Sequence, residues 1–140
     1  MAVCSKNGIY YNIKMKKFSN KWNSSKSKRK QRKYRFQSPI HKRHILISSN
    51  LSKELRKKYG KRSFPLRKND SVIITTGEFK KKKGKITKID SYNLRVYIEG
   101  IQKSKKDGTK VYVPINPSNL QITELDLQDK KRIISLERKK

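Results

Sequence analysis

Cysteine is nearly absent from this chain. Cys4 is the only one in 140 residues, so no intrachain disulfide can form and a cysteine-built zinc cluster is excluded. Acid is scarce as well. Asp and Glu number 10 and are scattered singly, with no grouping of serine, histidine and acid that would serve nucleophilic or acid–base catalysis. No active site is legible, and no enzyme is expected. His41 and His44 lie three apart, but with only a distant cysteine and no nearby acid they are read as a helix face turned to phosphate; no metal or other cofactor is expected. Long apolar runs are missing too. Nothing approaches the roughly 20 consecutive apolar residues of a membrane span, and MAVCSKNGIYYNIKMKKF has no apolar centre for a signal peptide. These absences point to a cytosolic or nuclear protein with no membrane and no small-molecule substrate among its partners.

Positive charge is what the chain has in excess. Lys and Arg number 39, giving a formal net charge of +29, while hydrophobic residues make up 32%, enough for one modest core. A single domain so charged repels itself unless it works against a polyanion, and nucleic acid is the commonest; a membrane surface is the weaker alternative. The charge is also uneven. Residues 1–69 hold 22 of the 39 basic residues and one acid, Glu54, which leaves +21 there and +8 on the rest.

Four regions follow from pattern. Residues 1–37 read as a basic extended arm whose block KSKRKQRKYR contains Lys26, Lys28, Arg29, Lys30, Arg32, Lys33 and Arg35, with too little apolar surface to fold alone. Trp22, Tyr34 and Phe36 are interleaved with it. Either they stack on unpaired bases while the cations meet phosphate, or Tyr34 and Phe36 anchor the arm to the folded part. Residues 38–65 read as two short helices. The first runs about Pro39 to Leu46 from a Ser38-Pro39 start and carries His41, Lys42 and Arg43. The second starts near Leu51, capped by Ser49 or Asn50, stops at Gly60, and turns Lys53, Arg56 and Lys57 outward. A charged turn with Arg67 and Lys68 leads into residues 66–124.

There, five short antiparallel strands are expected at about Ser71–Thr76, Lys85–Asp90, Leu94–Glu99, Lys110–Val113 and Leu120–Thr123. Val72, Ile74, Ile86, Leu94, Val96, Ile98, Val111, Val113, Leu120 and Ile122 are the inward set, with a bulge expected at Ile89. A mainly β fold with so small a core suggests an SH3-like barrel, flanked by the arm, the two helices and a C-terminal helix in 125–140 whose Ile133, Ile134 and Leu136 face the barrel.

The barrel's first hairpin holds the clearest motif, SVIITTGEFKKKKGKITKI. Gly77 is placed to leave the first strand with a positive φ, and Gly84 to re-enter the second where a Cβ would crowd. Between them Lys80, Lys81, Lys82 and Lys83 must face solvent or a polyanion, with Lys85 just beyond. The spacing of Gly77, Lys80, Lys81, Gly84, Lys85 and Ile86 resembles the KOW motif, departing from it where Lys81 replaces the usual central glycine. The motif alone fits ribosomal proteins and transcription elongation factors; the latter normally add further domains or further copies.

The surrounding pattern is more specific: Ser38-Pro39-x-His41-x-Arg43, then LSKELRKKY, RSFPLRKND and GTKVYVPINPSNLQIT. Together they resemble the universal KOW protein family of the large ribosomal subunit, numbered twenty-four in bacteria and twenty-six in eukaryotes, in its eukaryotic or archaeal form. The resemblance runs from about Lys16 to the C-terminus. It implies an SH3-like barrel that binds large-subunit ribosomal RNA near the nascent-chain exit, beside neighbouring large-subunit proteins, and that supports assembly and translation. The location implied is the cytoplasmic ribosome, with nucleolar transit in a eukaryote. RNA contact is thereby expected at Lys26, Lys28, Arg29, Lys30, Arg32, Lys33, Tyr34, Arg35, His41, Lys42, Arg43, Arg56, Lys57, Arg67, Lys68, Lys80, Lys81, Lys82, Lys83 and Lys85. Family members also open close to a methionine followed by a basic Phe- and Asn-containing segment, like Met15-Lys16-Lys17-Phe18-Ser19-Asn20, which makes Met15 the expected start of translation.

Overall fold

The computed structural model describes residues 18–138, and the expectation at Met15 lies outside them. The chain divides after Ser38 into two compact units. In the first, a 3₁₀ turn at Asn20–Ser24 precedes helix α1, Lys28–Gln37. Gln31 folds the turn back onto the helix, its amide donating to the carbonyls of Asn23 at 2.6 Å and Ser25 at 2.9 Å. Phe18 sits 5.4 Å from Tyr34 and 6.3 Å from Trp22, ring centre to ring centre. The extended reading of this basic block is therefore corrected for Lys28–Gln37. Lys, Arg and Gln are good helix formers and the segment has no glycine or proline, so backbone propensity prevails where an apolar stripe is missing.

The second unit is a small, sheet-rich, barrel-like domain. It opens with α2, Ile40–Leu46, and continues through β1, Ser48–Leu51, α3, Lys53–Tyr59, and β2, Ser63–Pro65. The two-helix reading of 38–65 is thus corrected by two strands. Ser48-Ser49-Asn50, a helix break by its composition, belongs to a strand whose Ser49 and Leu51 are buried, the Ser49 hydroxyl donating to the Leu120 carbonyl. The α3 cap is accordingly Ser52, which accepts from the Leu55 amide at 3.3 Å; Gly60 closes the helix in the left-handed conformation, φ 63°.

The remaining strands are β3, Ser71–Ile74, β4, Lys83–Asp90, β5, Arg95–Ile98, β6, Gln102–Ser104, β7, Lys110–Tyr112, and β8, Leu120–Glu124; helix α4 is Lys130–Glu137. Six of the strands make one sheet in the order β2-β1-β8-β3-β4-β5, antiparallel except for the parallel β1–β8 pair, while β6 and β7 form a separate ribbon. The bulge falls at Thr87, between the Ile86–Ile98 and Lys88–Tyr97 pairs. That extra residue puts Ile86 and Ile89 on the same side, the first buried and the second half-buried.

Val72, Ile74, Ile86, Val96, Ile98, Leu120 and Ile122 form the core as the alternation requires. Val111 does not. It is 43% exposed on the separate ribbon, Val113 is only half-buried, and Ile101 and Ile115 take their places in the interior. Ile115 reaches its position through a single bridge to Val96, with both amides donating at 2.9 Å. On α4 Leu136 is buried as expected, but its buried neighbour one helical turn away is Arg132, while Ile133 is half-buried and Ile134 is 58% exposed.

Candidate nucleic-acid interface

The hairpin from β3 to β4 is the best-defined basic element. Ile74 exchanges two backbone bonds with its far side, receiving the Lys81 amide at 2.8 Å and donating to the Lys82 carbonyl at 3.0 Å, which closes a tight loop. Gly77 has a φ of 97°, and nothing lies within 4 Å of the Cβ it lacks. Gly84 is the opposite case. A Cβ there would stand 2.6 Å from Cγ2 of Ile98 and 2.8 Å from the Glu99 carbonyl oxygen, so close passage of β5 is what requires glycine. Lys81, at the place of the motif's usual central glycine, adopts the left-handed conformation that glycine would favour, φ 69°.

Lys80, Lys81, Lys82, Lys83 and Lys85 are all exposed. Lys83 belongs to the strand rather than the tip, opposite Ile73, and with Lys85 it projects on the face away from Gly84. Phe79 tethers the loop: half-buried against the core, it has the Lys82 ammonium 5.1 Å and the Lys103 ammonium 5.8 Å from its ring centre, and Lys103 also pairs with Glu78. The ribbon β6–β7 is thereby tied to the lysine loop.

A second basic patch gathers around the turn before β3. Asn69 is left-handed, φ 67°, and the Arg67 amide donates to Oδ2 of Asp70 at 2.8 Å, which leaves Arg67 and Lys68 exposed. They line a groove of about 790 Å3 together with His44, Asn69, Ser91 and Gln128. Arg67 is partly engaged there by Asp129. That contact, followed by the Lys131 amide, holds the Asp129 carboxyl below its usual value. The Asp90 carboxyl is likewise lowered, first by the Asn93 amide at 3.1 Å and then by the Asn93 side chain at 2.8 Å, which fixes the turn between β4 and β5.

The helical candidates divide by what they already touch. His41 and Lys57 are exposed and Lys42 is half-buried. Arg43 lies over the Tyr92 ring, 4.9 Å from its centre, and reaches the Tyr92 carbonyl at 3.4 Å. Arg56 is turned inward enough for Nε to donate to the Leu51 carbonyl at 2.8 Å. In the first unit Lys26, Lys28, Arg29, Lys30, Arg32, Lys33 and Arg35 are exposed, and the Lys33 ammonium is 5.9 Å from the Trp22 ring centre. Tyr34 is half-buried against Phe18, which is an anchoring role inside its own unit. Sequence reasoning passes over Tyr92, whose ring is 69% exposed beside Arg43; its place in a Ser-Tyr-Asn turn is the only signal.

Among the described residues no three His, Cys, Asp or Glu side chains converge as metal ligands, and no helix is long and apolar enough to cross a membrane. Exposed cations on the hairpin, the turn before β3 and the helices, with Asp90 and Asp129 engaged at a turn and a helix end, define a strongly basic, sheet-rich protein. The family model for the ribosomal proteins called L26 in eukaryotes, together with their archaeal L24 counterparts, matches residues 25–139. The large ribosomal subunit protein uL24 of Methanosphaera stadtmanae is 47% identical over 115 residues, 82% of this chain and 98% of that relative. The chain belongs to this ribosomal protein family, in its eukaryotic and archaeal form, and is a structural, non-enzymatic protein.

Proposed function

We propose that this protein is a constituent of the large ribosomal subunit that binds large-subunit ribosomal RNA near the nascent-chain exit and supports subunit assembly and translation. Its fold is then an SH3-like barrel whose KOW hairpin is the β3–β4 element. The observation that carries this reading is the hairpin itself: five exposed lysines, three on its loop and two on β4, with the loop held by Gly77, by Gly84 and by Phe79. Lysines that only solvated a turn would need no such support. Fixed cations neutralise phosphates and release counterions, and a rigid sheet sets their register on an RNA helix. The cations of α1 extend the contact, and Tyr92 offers a stacking face beside Arg43. Neighbouring large-subunit proteins complete the partners. The protein works in cytoplasmic ribosomes and passes through the nucleolus during assembly if the cell is eukaryotic.

Sedimentation of a lysate on sucrose gradients, at moderate and at high salt, tests the reading. One copy per large subunit through the high-salt wash is the expected result. Release from ribosomal fractions, with migration alongside polymerase or chromatin, would reject it.

A further inference from the structure

A groove of about 1380 Å3 runs between the end of α3 and the end of α4. Lys57, Lys58, Lys61, Arg62 and Arg138 line it, against one acid, Glu137. Lys61 donates to the Ser135 carbonyl, and the Lys58 ammonium lies 5.4 Å from the Tyr59 ring centre. Neither interaction neutralises a charge. Among the described residues no carboxylate pairs with any of the five cations, so the groove keeps an excess of four positive charges. The C-terminal ends of two short helices offset at most about half a charge each.

Of the groove's carbon-rich side chains, Phe64 and Leu136 are buried at 6% and 1% exposure, and the half-buried Tyr59 lies beside the Lys58 ammonium. A protein partner thus finds little apolar surface there against five cations. What faces outward is charge, which suits a phosphodiester backbone. We infer that this groove is a second RNA-backbone site, sharing no lining residue with the lysine loop. The inference rests on the RNA reading above and deepens it. The site is built by α4: Leu136 and the buried Arg132 hold that helix in place, and only then does Arg138 stand opposite Lys57, Lys58 and Arg62. The sequence carries a trace of it in Lys57-Lys58-Tyr59-Gly60-Lys61-Arg62, four cations around a helix stop, but nothing local in that run shows that Arg138 joins them.

The test uses the full chain and a 16-base-pair RNA duplex, with binding followed by fluorescence anisotropy across a salt series. Replacing Lys57, Lys58, Arg62 and Arg138 together by alanine lowers the salt slope by roughly one for each phosphate no longer neutralised, with the urea midpoint unchanged. Arg62→Glu alone, at an exposed position, repeats the measurement at little risk to the fold. The Lys80–Lys83 alanine variant runs in parallel. A normal slope in the groove variant with a reduced slope in the loop variant overturns the second site and leaves the RNA reading standing. Normal slopes in both overturn the second site and show that the loop, too, points away from RNA, whereas no measurable binding of the native chain to the duplex overturns the RNA reading itself. A groove variant that keeps its RNA slope but loses binding to polyglutamate assigns the groove to an acidic protein and overturns the inference.

Discussion

Arg132 on α4 grips Asp70 at the head of β3 with both terminal nitrogens, Nη1 at 2.7 Å from Oδ1 and Nη2 at 2.6 Å from Oδ2. Both residues are buried, at 3% and 0% exposure. The carboxylate also accepts the amides of Arg67 and Asp126, while the guanidinium donates to the Asp126 carbonyl at 2.7 Å and lies 5.5 Å from the Phe64 ring centre. One ion pair therefore joins the turn before β3, the segment after β8 and the C-terminal helix.

Arg132→Met is expected to lower stability by about 3–5 kcal/mol, because the carboxylate stays buried with only two backbone donors. Arg132→Lys keeps the charge but not the two-pronged geometry, and its stability is expected to fall between those of the native chain and Arg132→Met. Urea unfolding measures both. A decrease under about 1 kcal/mol for Arg132→Met, well short of what breaking a buried pair costs, would show that α4 is not held by this pair.

Gly77→Ala and Gly84→Ala separate backbone from packing. At Gly77 the added methyl meets nothing, and the cost is the positive φ alone, about 1–2 kcal/mol. At Gly84 it meets a main-chain oxygen that no side-chain trimming removes, so β4 and β5 must part, at about 1–3 kcal/mol. Trimming Ile98 to Ala is expected not to rescue Gly84→Ala. Full rescue in urea unfolding would mean that the side chain, not the Glu99 carbonyl, is the obstacle.

The hairpin and the main barrel strands are legible because their information is local: alternating apolar residues between glycines and turn residues. What escapes the sequence is non-local. Ser48–Leu51 has the composition of a turn and becomes a strand by pairing antiparallel with β2 and in parallel with β8, the latter some seventy residues on. Ile101 and Ile115 enter the core from outside the regular strands and leave no period to detect. Arg132, inside Lys130-Lys131-Arg132, looks like one more solvated cation until Asp70 is beside it. The α1 segment reads as extended because its cations leave no apolar stripe; helix propensity and the Gln31 and Phe18 contacts decide otherwise.

Lys81→Gly is expected to raise stability while weakening RNA binding. A left-handed residue with a Cβ is strained by about 1–2 kcal/mol, and glycine's greater freedom in the unfolded chain returns about 0.5–1 kcal/mol of that. A net gain of several tenths to about 1 kcal/mol should appear in urea unfolding, with a lower salt slope for RNA. A decrease in stability would mean that the lysine side chain supports the loop.

Acid should weaken the domain in a defined window. Asp90 and Asp129 both have carboxyls held below the ordinary value of 3.8. A lowered carboxylate contributes stability that is complete above its unfolded value and is lost as pH falls through the folded one. Stability attributable to these two groups is therefore flat at neutral pH and declines below about 4. Asp129→Asn is expected to flatten that decline as well as lower the neutral plateau. A pH profile of Asp129→Asn that matches the native chain's throughout the acid range would show that the Arg67 interaction stabilises nothing.

Replacing Lys80, Lys81, Lys82 and Lys83 by alanine is expected to reduce the salt slope of RNA binding by roughly one unit per phosphate released. All four are exposed, and Lys82 touches only the Phe79 ring among the described interactions of these side chains, so the fold should hold. The effect should be spread evenly over RNA sequences, since a backbone contact carries no base information. Lys85→Ala serves as a finer probe: it lies on the strand opposite Ser71, where its position is fixed by the sheet rather than by the loop. If the four-lysine variant shows a reduced slope and Lys85→Ala does not, RNA meets the tip of the hairpin; if both do, it lies along the strand. An unchanged slope in the four-lysine variant would mean that the loop points away from RNA.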